Sequence, residues 1–399
     1  MGAVFRETGV KMTDEIFRND GYVFEFEGEV MSVDGEWVEL GGTAFYPGGG
    51  GQVCDTGTMG GFPVTEVTYR GDNIFHKVPG HPFVVGDRMW CSVDWDRRYD
   101  LMMGHTAEHI LFNALHRQDP DINIVKIYIG TDSKYVVVDR DMDLDKIGEA
   151  VKFANTVIDD NHPVIKSVMS RDDPEIENIR IKLDRIEEDE ITVVEIGDVD
   201  IAACSGIHVM ETSEIGAIFV DRKVSAGKGQ FAIHFRIGED ARKASMDLAN
   251  TCLRIIEDLG SKPEDIVKTV ANMKAELEMC RKQLKDTLTT SLKNLAPMDI
   301  NGKRVFAAVL NTNDKTPAVD AAEVHRKDGD ITAFVCKGQN ISVILSSGDE
   351  SIDCKTVISE VLAQFGGRGG GKKDFAQGGL AATVDADDVL KALIDRISS

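Results

Sequence analysis

Two histidines four residues apart, His105 and His109, bracket Thr106-Ala107-Glu108 in the stretch LMMGHTAEHILFNALH, residues 101–116. Apolar Met102, Ile110, Leu111, Ala114 and Leu115 recur around them at helical spacing, which predicts an amphipathic helix. Residues i and i+4 share a helix face, with β-carbons about 5–6 Å apart, so the two imidazoles can grip one metal ion. Zinc takes four ligands in structural sites and three plus water in catalytic ones, so the others must come from elsewhere. Ala202-Ala203-Cys204-Ser205-Gly206-Ile207-His208 offers them. Its thiol and imidazole bracket three residues, two of them small. They follow ITVVEIGDVDI, residues 191–201, which reads as a strand ending at the helix. One Cys with three His suits Zn2+, since thiolate and imidazole are ligands it prefers.

Glu108 raises a rival chemistry. The common zinc-protease helix is H-E-x-x-H, with its base beside the first His, but that position here is Thr106. The order His105-x-x-Glu108-His109 matches instead the inverted motif H-x-x-E-H. A protease would need a distal carboxylate such as Glu195 and would leave Cys204 and His208 without a role. On a regular helix Glu108 points about 60° from the face shared by the His pair, which favours a structural or water-facing side chain. The other histidines, His76, His81, His116, His162, His234 and His325, carry no metal-binding pattern.

Upstream lies Gly41-Gly42-Thr43-Ala44-Phe45-Tyr46-Pro47-Gly48-Gly49-Gly50-Gly51-Gln52. Four consecutive glycines let a backbone pass very close to another object. They suit either a floppy hairpin tip or a loop whose amides hug a ligand, although Phe45-Tyr46-Pro47 is stiffer than a tip requires. A second glycine segment, Gly366-Gly367-Arg368-Gly369-Gly370-Gly371-Lys372-Lys373-Asp374, superficially resembles a P-loop. Lys373 stands where magnesium would need Ser or Thr, and a helix is expected before the loop where a strand should be. It reads either as a mobile surface loop or as one that receives a phosphate backbone through amides and the cations Arg368, Lys372 and Lys373.

The whole chain sets the frame for these residues. Its 399 residues suggest two to four domains, and 42% hydrophobic with 28% charged residues describes a soluble globular protein. A net charge of −23 argues against a protein that coats nucleic acid, though a local basic patch survives such a total. Seven scattered cysteines fit a reducing compartment, hence the cytoplasm. The N-terminus has no apolar signal region, its first eleven residues read as a tail before Met12, and no apolar run is long enough to span a membrane.

Short alternating runs at 22–31, 37–40, 64–69, 74–78 and 89–93, punctuated by Gly-containing turns, predict a small β-barrel over residues 1–95. Residues 96–238 mix helices and strands around the metal motif, with a charged, solvated segment at 171–189. Residues 239–297 predict an antiparallel helical hairpin, coiled-coil-like. Ile266, Val270, Met273, Leu277, Cys280 and Leu284 step by four and three, and Ser261-x-x-Glu264 reads as a capping box. Residues 298–399 predict a separate α/β domain. The fold class is multidomain α+β.

Taken together, Thr43–Gln52, His105–Leu111 and Cys204–Val209, in this order and at these separations, resemble the editing half of alanyl-tRNA synthetase. The tail GGRGGGKKDFAQGG at 366–379 is similar to the DHH-associated domain that ends that synthetase. The likeness covers residues 13–399, and with no room before the barrel for an aminoacylation domain it points to the AlaX family of freestanding alanyl-tRNA editing proteins, long form. One departure is Ser205-Gly206-Ile207, where the synthetases usually carry Gly-Gly-Thr.

The resemblance implies an N-terminal barrel like those of translation factors, an editing domain of the threonyl/alanyl-tRNA synthetase type and a C-terminal DHH-associated domain. It implies a hydrolase that cuts serine from tRNA(Ala), with glycine as a substrate left open. Zn2+ would sit among His105, His109, Cys204 and His208. Thr43 would meet the serine hydroxyl, and Gln52 with the Gly50 and Gly51 amides would bind the terminal adenosine or the carbonyl. Arg368, Lys372 and Lys373 would contact tRNA, and the helical hairpin or the C-terminal domain offers a homodimer surface. A pocket that merely fits alanine rejects a hydroxylated near-isostere by only about 10², whereas a site that hydrogen-bonds the hydroxyl discriminates by about 10⁴–10⁵. Whether the metal activates water or only positions the ester stays open, as does a tRNA-binding relative without catalysis.

Overall fold

The computed structural model describes residues 13–180 and 189–399. The expected N-terminal tail and residues 181–188 of the charged segment lie outside the described residues. The chain divides into two compact units, Met1–Ile255 and Ile256–Ser399.

In the first unit, seven strands form one antiparallel sheet in the order Phe62–Val64, Gly57–Met59, Arg88–Val93, Glu25–Asp34, Trp37–Leu40, Asn73–Lys77, Glu66–Arg70. Its two edge strands are separated in sequence by Thr65 alone, so the sheet curls round until its edges meet at a corner. Along Glu25–Asp34, Phe26, Gly28 and Val30 face inward while Glu25, Glu27 and Glu29 face water. That is the period of two expected of a half-buried strand.

The metal helix runs Trp95–Gln118, opened by Asp94, whose side chain accepts from the Arg97 amide. Its middle is not amphipathic. Leu101, Met102, Gly104, His105, Thr106, Ala107, Glu108, His109, Ile110 and Leu111 are all buried, because several layers enclose it. One is a four-stranded antiparallel sheet in the order Ile124–Ile129, Lys134–Val138, Gln230–Ile237, Ile218–Gly227. Another is the helix Leu144–Asp159. The run at 191–201 is two strands rather than one. Glu190–Ile196 turns back at Gly197, with φ +48°, into Asp200–Ala203, and Val164–Ser170 completes this three-stranded sheet. A single apolar core includes Phe17, Phe45, Leu101, Leu115, Val194 and Ile237. No break in packing therefore falls at the expected boundary between residues 95 and 96.

Farther on, the helix Gly238–Leu259 ends at Gly260, whose φ of +58° only glycine adopts readily. The second long helix runs Ile266–Lys293. The expected capping box at Ser261 and Glu264 does not form. Pro263 opens a short 3₁₀ turn, Pro263–Asp265, which delays the helix, and the Ser261 hydroxyl bonds Thr269 instead. Leu288, Leu292 and Leu295 of the seam pack with Phe306, Ala318 and Ile344, while Met273, Leu277 and Leu284 are exposed.

The sheet of the second unit has the order Met298–Ile300, Lys303–Leu310, Ile331–Lys337, Ile341–Ser347, Phe375–Leu380, Arg368–Gly371. Its one parallel pair is joined through the helix Thr316–Lys327. The expected glycine loop at 366–374 contains a strand, Arg368–Gly371, because glycine there admits a helix directly onto the sheet. A β-carbon on Gly369 would lie 2.3 Å from Ile358 Cγ2, and one on Gly378 2.2 Å from Leu362 Cδ1, both on the helix Cys354–Gln364. Helix before strand is not the order of a P-loop. No helix among the described residues is long and apolar enough to cross a membrane.

Candidate metal centre

His105 and His109 sit one turn apart on the helix Trp95–Gln118, and Cys204 and His208 lie on the loop that leaves Asp200–Ala203. One nitrogen or sulfur atom from each of the four lies within 4.8 Å of the others. Cys204 Sγ is 3.4 Å from His105 Nε2 and 3.3 Å from His208 Nε2. A tetrahedral zinc, with bonds of about 2.3 Å to sulfur and about 2.0–2.1 Å to nitrogen, holds its ligand atoms about 3.3–3.6 Å apart. The donor set and its spacing fit that ion.

The other nitrogen of each ring is also accounted for. His105 Nδ1 donates to Gln52 Oε1 at 2.8 Å, His109 Nδ1 to Asp200 Oδ2 at 3.0 Å, and His208 Nδ1 to Thr106 Oγ1 at 3.2 Å. Such outer partners fix the tautomer and the ring plane and leave Nε2 free to ligate. Thr106 gives its own proton to the Met102 carbonyl and accepts from the Val209 amide as well as from His208. The position that would hold a protease base therefore aims a metal ligand. Asp200 also receives Arg180 Nη2 at 2.7 Å, and that guanidinium lies over the Phe112 ring.

Burial alone would raise the Cys204 thiol, but the His105 and His208 rings beside it hold it well below the ordinary thiol range. Burial lowers His208 to about 3. At His109 burial opposes the charge, yet the bond to Asp200 and the Cys204 sulfur raise it to about 10. Burial would raise Asp200 too, and His109 with Arg180 hold it below the carboxylate range. Glu108, expected to be structural or water-facing, is buried rather than water-facing: its oxygens have no hydrogen-bond partner among the described residues, and burial raises its pKa. Glu195, the protease reading's distal ligand, is exposed on its strand and is not among the four clustered residues.

Glycines bring the loops together. A β-carbon on Gly206 would lie 2.1 Å from His105 Cε1 and 2.4 Å from Nδ1. Gly48, Gly49, Gly50 and Gly51 all have positive φ, and a β-carbon on Gly51 would lie 2.7 Å from the Ile127 carbonyl oxygen. The run is no floppy tip. Ile129 N donates to Gly51 O and Val53 N to Ile129 O, at 2.8 and 3.1 Å. This docks Gln52 onto His105 and leaves its buried Nε2 without a partner among the described residues.

Thr43 lies against His76. Its hydroxyl is fully buried, accepts from the Phe45 amide at 3.1 Å and lies 2.8 Å from His76 Nε2. His76 Nδ1 donates to the Val38 carbonyl, so Nε2 is the acceptor and the Thr43 proton is committed to it. Arg368, Lys372 and Lys373 are exposed in the second unit, with no ion-pair partner among the described residues.

Several supporting residues escape a reading by spacing. Arg180 sits in the segment expected to be a solvated face. Arg98 and Asp55 form a fully buried ion pair; Arg98 also bonds the Gly21 and Ala44 carbonyls, and Asp55 accepts from the Tyr46 amide. They lash both flanks of the glycine loop to the start of the metal helix. Glu214 accepts from Tyr22, Tyr99 and the Met210 amide, which pins the chain just beyond His208. An acid inside an apolar run, as Asp200 is in ITVVEIGDVDI, is the one signal that could have flagged any of them.

Residues 191–230, which include Cys204 and His208, match the threonyl and alanyl tRNA synthetase second additional domain, and residues 302–399 match the DHHA1 domain. An alanine–tRNA ligase of Methanoculleus marisnigri is 29% identical over 98% of this chain and 44% of its own length. That of Pyrobaculum arsenaticum is 28% identical over 96% and 44%. The chain thus spans less than half of these ligases. The alanyl-tRNA editing protein AlaX-L of Pyrococcus horikoshii is 25% identical over 97% of this chain and 99% of its own length. The resemblance carried by the motifs extends along nearly the whole sequence: this chain is similar to a freestanding alanyl-tRNA editing protein of the AlaX long type and to the matching part of the alanine–tRNA ligases.

Proposed function

We propose that this protein is an aminoacyl-tRNA hydrolase that removes serine from mischarged tRNA(Ala), acting in trans to protect translation fidelity, with Zn2+ held by His105, His109, Cys204 and His208. The observation that carries the reading is the meeting of three imidazoles and one thiolate, each ring oriented from behind, against a glycine loop that brings an unpaired amide donor to the same place. Similarity to AlaX-L over 99% of that protein's length supports it.

When bound, the ion supplies positive charge beside the ester carbonyl. The chain supplies the rest. Gln52 Nε2 offers a hydrogen bond to the carbonyl or to the ribose, and the Gly50 and Gly51 backbone lets the adenosine approach. Thr43 is the serine-recognising side chain by resemblance; with its proton given to His76 and one lone pair to the Phe45 amide, it keeps one lone pair to accept from the substrate hydroxyl. A Thr43→Val variant that still cuts serine and spares alanine removes it from that role.

Arg368, Lys372 and Lys373 contact the tRNA backbone, and the exposed seam Met273, Leu277 and Leu284 offers a homodimer surface. The four segments 1–95, 96–238, 239–297 and 298–399 act as a translation-factor-like barrel, an editing domain, a helical hairpin and a DHH-associated domain. The protein works in the cytoplasm.

The test compares release of serine from Ser-tRNA(Ala) with release of alanine from Ala-tRNA(Ala). Serine should be favoured by about 10⁴, the discrimination available to a site that bonds the hydroxyl. Cys204→Ala should lose both bound metal and hydrolysis. A wild-type protein that binds the tRNA and hydrolyses neither ester refutes the reading and marks a binding protein.

A further inference from the structure

Beside the metal centre is a cavity of about 340 Å³, within the size range of small-ligand sites. Gly206, Ile207 and His208 form one wall, and the segment from Phe17 to Tyr22 forms another, with Lys166 between. Of the four clustered residues, His208 is in the lining, so the cavity adjoins the cluster on that side.

Lys166 is unusual there. Its ammonium donates to the Arg18 carbonyl at 3.3 Å, and among the described residues no carboxylate pairs with it. The Arg18 guanidinium, which also acts on Lys166, binds Glu15 and the Tyr69 hydroxyl. Lys166 is exposed on its strand; burial of part of the side chain and then Arg18 lower its pKa, while the Cys204 sulfur opposes them. The acid in the lining, Asp20, is occupied by the Tyr22 amide. Arg18 is matched by Glu15, which leaves Lys166 as the cation of this lining without a carboxylate partner among the described residues, in a chain of net charge −23.

We propose that Lys166 binds the phosphodiester next to the acylated 3′-terminal nucleoside and so sets that nucleoside beside the metal centre. The inference rests on the hydrolase reading above. It follows from what an aminoacylated strand offers. The amino acid's carboxylate is consumed in the ester and its ammonium is cationic, so the anion nearest the scissile bond is a backbone phosphate. Lys166 is then a positioning residue that touches no reacting atom.

Two substrates separate this role from any other: Ser-tRNA(Ala), and the seryl ester of adenosine, which carries no phosphate. Lys166→Ala should raise KM for the tRNA about 10–100-fold, the worth of one charge-assisted bond, and leave its kcat within about twofold. The slope of log affinity against log salt should fall by about 0.7–0.9. Kinetics on the nucleoside ester should not change, and Lys166→Arg should restore most of the tRNA affinity. Equal losses on both substrates would put Lys166 in the chemistry and overturn the proposal, as would no loss on either. If the wild type cleaves neither ester, the hydrolase reading fails first and the anion site falls with it.

Discussion

Gly206→Ala tests the metal centre with a single methyl group. Gly206 has no positive φ, so alanine strains no backbone there, and the whole effect comes from space. The added carbon would lie 2.1 Å from His105 Cε1 and 2.4 Å from Nδ1. Ordinary contact between carbons begins near about 3.5 Å, so ring or loop must yield by more than an ångström. Metal–ligand distances tolerate only about 0.2 Å, and the ring is also held from behind by Gln52. Relaxation therefore moves either His105 off the ion or the Cys204–His208 loop away from it. Losing a fixed ligand should cost at least as much as losing an outer partner, which is about 10–100-fold in metal affinity, or about 1.4–2.8 kcal/mol. Competition against a chelator of known affinity measures it, with Ser205→Ala, exposed one residue away, as the control. A Gly206→Ala protein that binds zinc as tightly as the wild type would refute the geometry on which the site is built.

Asp200→Asn removes the charge that orients His109 and faces Arg180, and should weaken metal affinity about 10–100-fold while Tm in excess zinc stays nearly constant. Asp55→Ala leaves Arg98 buried without its partner and should cost about 3–5 kcal/mol in denaturant unfolding, more than the double change to Arg98→Met with Asp55→Leu. His76 is buried and neutral, its pKa lowered to about 4 mainly by burial. Its unfolded counterpart, near about 6.5, binds the extra proton first, so stability is full above that pH and falls as pH drops from about 6.5 to about 4. The most this can contribute is about 3 kcal/mol, and His76→Gln should flatten the stability profile in that window alone. Lys372→Ala with Lys373→Ala should weaken tRNA binding and lower its salt slope by about 1.4–1.8; an unchanged slope rejects those two contacts.

The ligands are legible in the sequence because metal chemistry uses few side-chain types at fixed spacings: an i, i+4 His pair and a Cys-x-x-x-His need no fold to be noticed. Their supports are not. Asp200 lies 91 residues from His109, and Gln52 lies 53 from His105. Neither local propensity nor periodicity encodes such a pairing. Thr106 misleads for a related reason. Its type invites comparison with a protease base, whereas its function is set by the His208 ring, which arrives from 102 residues away. The helix pattern fails too, since periodicity describes an element with one wet face and this one is enclosed.

The glycines carry the more transferable signal. At 51, 206, 369 and 378 a side chain would collide with another segment, with a metal ligand in the case of 206. A glycine cluster that looks like slack chain can therefore mark the places where two segments are pressed together. In a bare sequence the two kinds differ only in what accompanies them. Phe45-Tyr46-Pro47 stiffens the approach to the first run, and that stiffness fits docking rather than a mobile tip. The segment at 366–374 has no such flank and is correspondingly harder to place. Its packing against Ile358 and Leu362 shows that the absence of a β-carbon, rather than freedom of φ, is what that sheet requires.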